Sequence, residues 1–114
     1  MTSQKSLFDK VSLKCSIITT KSYSTSFSLA IKLLNKEYKN AIYSIYGFVR
    51  LADEIVDSFH DYDKKKLLSE LRYNTIDALE KKISLNPIIN SFQKTVKEYN
   101  IEWHLIDSFL ESME

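Results

Sequence analysis

Apolar residues recur along most of this chain at intervals of three and four, the spacing that lines one face of a helix. The pattern predicts five or six helices. The first covers about Lys5 to Ile17, with Leu7, Phe8, Val11 and Cys15 on its buried side, and a polar link, Thr19-Thr20-Lys21, follows it. The second covers about Tyr23 to Leu34, with Phe27, Ala30, Ile31 and Leu34 spaced for burial. Ser22 or Ser24 is its candidate N-cap and Asn35 its candidate stop. The third covers about Lys36 to Phe59 and is apolar on more than one side, which places it between several neighbours. Asp61 or Asp63 starts a fourth, from about Lys64 to Lys82, where Leu67, Leu68, Leu71, Ile76 and Leu79 keep helical spacing and many charges mark an outer helix. Asn86-Pro87 pairs an N-cap with proline at the first helical position. The fifth helix follows, with Ile88, Ile89, Phe92, Val96 and Tyr99 inward and Asn100 at its end. A last helix, Trp103 to Met113, sets Leu105, Ile106, Phe109 and Leu110 on one apolar side.

Composition agrees with an all-α reading. The chain has one Gly and one Pro, too few turn residues for a β-rich fold. Its 114 residues suit one domain. They leave few partners to cover the third helix, so that helix is expected to be buried against another chain or against further sequence. A net charge of +1 gives no general attraction to nucleic acid, and Lys64-Lys65-Lys66 reads as a solvated face. Cys15 is the sole cysteine, which excludes an intrachain disulfide and a Cys-based zinc site. It reads as a small core residue of a protein in a reducing cytoplasm. The N-terminus has no basic-then-apolar signal layout, and no apolar run approaches the roughly 18 residues of a membrane span. A soluble protein is expected, one whose substrate can still be lipid-like.

One stretch departs from ordinary amphipathic patterning. In Tyr46-Gly47-Phe48-Val49-Arg50-Leu51-Ala52-Asp53-Glu54-Ile55-Val56-Asp57, an arginine and two aspartates enter an apolar helical face. Tyr46, Arg50, Asp53 and Asp57 share an arc of roughly 60°, with Ile42 one turn earlier on the same stripe. Charges on an apolar side must be paired or must face a ligand. Two carboxylates one turn apart can reach toward Mg²⁺, a hard cation held by one or two carboxylates plus substrate phosphates. Arg50 could bind a phosphate oxygen. It could also simply pair with Asp53 at i,i+3 or with Glu54 at i,i+4.

The sequence also resembles a known family. Ser24-Thr25-Ser26-Phe27-Ser28, the stretch from Ala41 to Asp57, Ser84-Leu85-Asn86-Pro87-Ile88-Ile89-Asn90-Ser91-Phe92 and Phe109-Leu110-Glu111-Ser112-Met113 together resemble the N-terminal part of squalene/phytoene synthases, most like the bacterial phytoene synthase branch. The likeness covers nearly the whole chain after about Ser22.

The resemblance implies an all-α isoprenoid synthase fold with a central cavity. It implies a transferase of isoprenoid or carotenoid biosynthesis that joins two prenyl diphosphates head to head through a cyclopropyl diphosphate. It implies Mg²⁺, with Mn²⁺ a possible substitute, and a farnesyl or geranylgeranyl diphosphate substrate. It leaves room for peripheral membrane association of the full enzyme. By the same resemblance, Asp53 and Asp57 match the first aspartate-rich, metal-holding motif, and Arg50 the diphosphate-binding arginine. Tyr46 matches a cavity tyrosine near the diphosphate. Ser24 and Ser26 match small polar residues near the phosphates, and Phe27 an aromatic bordering the cavity. Aromatic walls would stabilise a carbocation and exclude water.

The second aspartate-rich motif of the family is absent, because Asp107 is followed at i+4 only by Glu111. The chain is therefore expected to be an N-terminal fragment of one synthase domain, inactive alone and prone to self-association through its exposed half-cavity. The competing reading is a non-catalytic helical interaction module in which Arg50 and the aspartates form an intra-helix ion network. A third is a fragment that keeps the synthase residues and only dimerises.

His60 suits a favourable charge at a helix C-terminus, and His104 a surface position. Tyr43 lies on a packing face. Glu54 points about 100° from Asp53 and is either support for the site or a lysine's partner. Asp61 extends the acidic row or belongs to the helix end.

Overall fold

Four helices are started by a side-chain oxygen that accepts a backbone N–H: Ser3 from Ser6, Ser24 from Phe27, Asp63 from Lys66, and Asn86 from both Ile88 and Ile89. The computed structural model describes residues 3–114, and among these it forms six helices and no strand. They are α1 Gln4–Tyr23, α2 Thr25–Ile31, α3 Lys36–Asp57, α4 Lys64–Lys81, α5 Pro87–Tyr99 and α6 Trp103–Ser112. Lys82 and Asn100 take left-handed backbone conformations just past α4 and α5 (φ 65° and 52°), each ending its helix.

The helical reading is right, and several details of it are not. The expected link Thr19-Thr20-Lys21 is part of α1. Thr19 and Thr20 donate their hydroxyls to the carbonyls of Cys15 and Ser16, four residues back, so neither interrupts the helix. The expected buried side of α1 is also wrong. Leu7 is 51% exposed and Val11 45%, whereas Ser12, Ser16 and Thr20 are fully buried. Small side chains win here because α1 lies very close to α3: a Cβ on Gly47 would stand 3.0 Å from Ser16 Oγ.

α2 is shorter than predicted. Ser24, not Ser22, caps it, and Asn35 precedes α3 instead of ending α2. Of its predicted core positions, Ile31 is buried, while Phe27, Ala30 and Leu34 are exposed, Leu34 because it falls in the turn after the helix. In α4, Thr75 and Ala78 are buried while Ile76 is exposed. In α6, Ile106 and Leu110 are buried but Leu105 points outward.

Helices α1 and α3 run in the same direction, since Ser16 faces Gly47 and Tyr23 faces Glu54. α5 runs against α3: Tyr99 reaches the carbonyl of Glu37, Ser44 bonds Ser91 at 2.6 Å, and Phe48 stacks on Phe92. The contact of α1 and α5 is polar, with Asn90 Nδ2 donating to Asp9 and Ser12 at 3.0 Å each. The apolar core lies on the other side of α3, where Phe48, Ala52 and Ile55 meet Leu68, Leu71, Ile89, Phe92, Val96, Ile106 and Leu110. α3 is thus packed by α1, α5 and α4, and its remaining stripe carries the charged motif. No helix is long and apolar enough to cross a membrane among the described residues.

Candidate functional site

The stripe Tyr46, Arg50, Asp53, Asp57 lies along the C-terminal half of α3. Tyr46, Arg50 and Asp53 are half-buried and Asp57 is exposed. α2 covers the start of the stripe: Phe27 stacks on Tyr46 with ring centroids 4.9 Å apart and planes 28° from parallel. Ser24, at the cap of α2, holds the N–H of Phe27 at 3.1 Å. Ser26 is exposed on the first turn of the same helix. The structure therefore brings Phe27 and Tyr46 into contact, with Ser24 capping the helix that carries Phe27.

Arg50 takes the second of its possible partners. Its Nη2 donates to Glu54 Oε1, one turn on, and not to Asp53. Glu54 is further held by the hydroxyls of Tyr23 at 3.0 Å and Ser58 at 3.1 Å. The guanidinium carbon sits 4.6 Å from the centre of the Tyr23 ring, a cation–π contact. Each charge stabilises the other. The hydrogen bond from Arg50 holds the Glu54 carboxyl below the usual carboxylate range. The bond to Glu54 raises the Tyr23 phenol and the Arg50 guanidinium. The Nε of Arg50 is buried with no acceptor among the described residues.

Sequence reasoning did not single out Tyr23. It lies 31 residues from Glu54, and only the parallel packing of α1 and α3 joins them. Glu54 carried a local signal, its i,i+4 spacing from Arg50. It pairs with the arginine and not with a lysine.

Asp53 and Asp57 make no hydrogen bond or ion pair among the described residues, so both carboxylates keep their lone pairs. Two carboxylates one turn apart fit Mg²⁺ of the kind completed by water and substrate phosphate. They do not make a protein-only cage, because no group of three His, Cys, Asp or Glu side chains converges among the described residues.

The charge at the C-terminus of α3 comes from Lys64, whose Nζ donates to the Val56 carbonyl at 2.6 Å. His60, expected in that role, lies beyond the helix, and its Nδ1 accepts from Lys64 at 2.8 Å. Asp61 is in the loop after α3. His104 is exposed and pairs with Glu102, and Tyr43 is buried as packing. Asp107 pairs with Arg72 of α4 and tethers α6 to it.

A polar cavity of about 550 Å³ opens elsewhere, near the N-terminal halves of α1 and α3, with Asp9, Glu37, Asn40, Lys94 and Glu98 in its wall. None of the stripe residues lines it.

Comparison with curated proteins and with solved structures yields no match. The family model described as squalene/phytoene synthase matches residues 20–114, and the chain belongs to that family.

Proposed function

We propose that this chain carries one half of a diphosphate-ionising site in a synthase that joins two prenyl diphosphates head to head. Members of the family are prenyltransferases with an all-α fold. The observation that carries the reading is the pair of free carboxylates, Asp53 and Asp57, on the same stripe as Arg50 and beside the Phe27–Tyr46 stack.

In this reading Asp53 and Asp57 hold Mg²⁺. When bound, the ion supplies positive charge against the departing diphosphate. Arg50 adds a fixed positive charge on the same face and donates hydrogen bonds to phosphate oxygens. Phe27 and Tyr46 present aromatic surface to the prenyl chain and keep water from the reacting carbon. Ser24 caps the helix that carries Phe27, and Ser26 offers a hydroxyl near the phosphates.

On no other helix does the chain carry a second Asp-x-x-x-Asp pair, and Asp107 is already paired with Arg72. We therefore infer that a second acidic helix must come from outside these residues. The purified chain then binds ligand without turning it over, and measurable turnover by this chain would contradict that. The exposed Leu7, Val11 and Ile18 of α1 support self-association, which sedimentation equilibrium tests. The lone Cys15 supports a reducing, cytoplasmic setting.

The interaction-module reading expects Arg50 to be neutralised inside its own helix, and the pair with Glu54 agrees with that. It leaves the two unpaired aspartates without a use. Calorimetric titration with an unreactive farnesyl diphosphate analogue separates the readings. The synthase reading requires binding in Mg²⁺ that is lost on chelation, and the module reading requires none.

A further inference from the structure

We propose that Tyr23, acting through Glu54, positions Arg50 for the diphosphate; the inference rests on the reading of the site given above. An arginine on an exposed helix samples many rotamers, and a free guanidinium forfeits entropy each time it binds an anion. Arg50 is held in two directions at once. The Tyr23 ring lies against the face of its guanidinium, 4.6 Å from centroid to carbon. Glu54 engages one terminal nitrogen, and the Tyr23 hydroxyl fixes Glu54 from the far side at 3.0 Å. One residue of α1 thus restrains both the plane and the in-plane rotation of a charge on α3.

The arrangement divides the labour of three clustered carboxylates. Glu54 accepts from Arg50, Tyr23 and Ser58, so both of its oxygens are engaged. Asp53 and Asp57 stay free for a cation. Arg50 keeps donors for a ligand, because Glu54 is its one hydrogen-bond acceptor among the described residues. Its buried Nε has no acceptor at all among them, and a buried donor left unsatisfied is costly. Tyr23 itself is 52% exposed, so its role in folding is small and its role in binding can be read separately.

The test is calorimetric titration of the whole chain with pyrophosphate in Mg²⁺, for wild type, Tyr23→Phe, Tyr23→Leu, Arg50→Ala and the double variant Tyr23→Leu/Arg50→Ala. Tyr23→Leu should weaken binding about tenfold, and Tyr23→Phe less because the ring remains. In the Arg50→Ala background, Tyr23→Leu should add little further loss. Equal affinity of wild type and Tyr23→Leu overturns the proposal. So does the same loss from Tyr23→Leu with and without Arg50→Ala, which would mean that Tyr23 acts independently. A wild type that ignores pyrophosphate removes the diphosphate reading itself, and the positioning role with it. The ¹⁵N signal of the Arg50 Nε–H gives a ligand-free readout. It should be sharp and slowly exchanging in wild type and averaged in Tyr23→Leu. An unchanged signal overturns the positioning role even where binding falls.

Discussion

Arg50 pairs with Glu54 and leaves Asp53 alone, although all three lie within one turn of α3. The pairing has a pH signature. The bond from Arg50 lowers the Glu54 carboxyl in the folded chain, so in acid the unfolded chain binds the proton more readily. The stabilisation is fully present above the unfolded value of about 4.3 and is lost as pH falls through the lower folded value. Replacing Glu54 with Gln should therefore flatten the acid limb of stability against pH. Thermal melts of both proteins between neutral and acid pH check this, and identical slopes would contradict it.

Phe48 and Phe92 stack at 3.9 Å with planes 7° apart, and both are buried at the centre of the core. They hold α5 against α3 and so fix the helix that carries the motif. Phe48→Ala should cost about 3–5 kcal/mol, because no neighbouring element can collapse fully into the space. Urea unfolding measures the loss.

Gly47 and Ser16 set how closely α1 approaches α3. A Cβ at Gly47 would meet Ser16 Oγ at 3.0 Å and its Cα at 3.3 Å. Gly47→Leu should destabilise the chain by about 1–3 kcal/mol through overpacking. It should also loosen Tyr23 from Glu54, since the same helix pair holds them together. Ser16→Ala should behave oppositely. The hydroxyl of Ser16 is buried without a partner among the described residues, so removing it should leave the melting temperature unchanged or raise it.

The two ionic clusters should separate in function. Asp107 is paired with Arg72 and lies on α6, a different helix from the stripe. Asp107→Asn should lower stability by at most about 1 kcal/mol, as expected for a partly exposed pair, and leave diphosphate binding intact. Asp57→Asn should do the reverse, because Asp57 is exposed and has no partner to lose among the described residues. Urea unfolding and pyrophosphate titration of the two variants, side by side, check both halves of this.

How far the sequence reading succeeded depends on which forces act locally. The ends of α4 and α5 were legible because Asp63, Asn86-Pro87 and Asn100 act on their own backbone. The stripe on α3 was legible because helical spacing alone aligns Tyr46, Arg50, Asp53 and Asp57. The buried face of α1 was not. Hydropathy favours Leu7 and Val11, whereas close helix contact favours Ser12, Ser16 and Thr20, and the second preference depends on Gly47 in another helix. Tyr23 escaped notice for the same reason, since nothing near it in sequence announces Glu54. Phe27 and Tyr46 were each named from the sequence, but their stacking is a fact of tertiary packing.

The central claim is that Asp53 and Asp57 hold a divalent cation bound to diphosphate. Mn²⁺, which broadens the NMR signals of nearby nuclei, tests it most directly. In the presence of pyrophosphate, substoichiometric Mn²⁺ should broaden the backbone amides around Asp53 and Asp57 and the side-chain signal of Arg50. The amides around Glu37, at the other end of the same helix and about 24–30 Å away, should stay sharp. Broadening that is equal at both places, or absent from α3, would contradict the account.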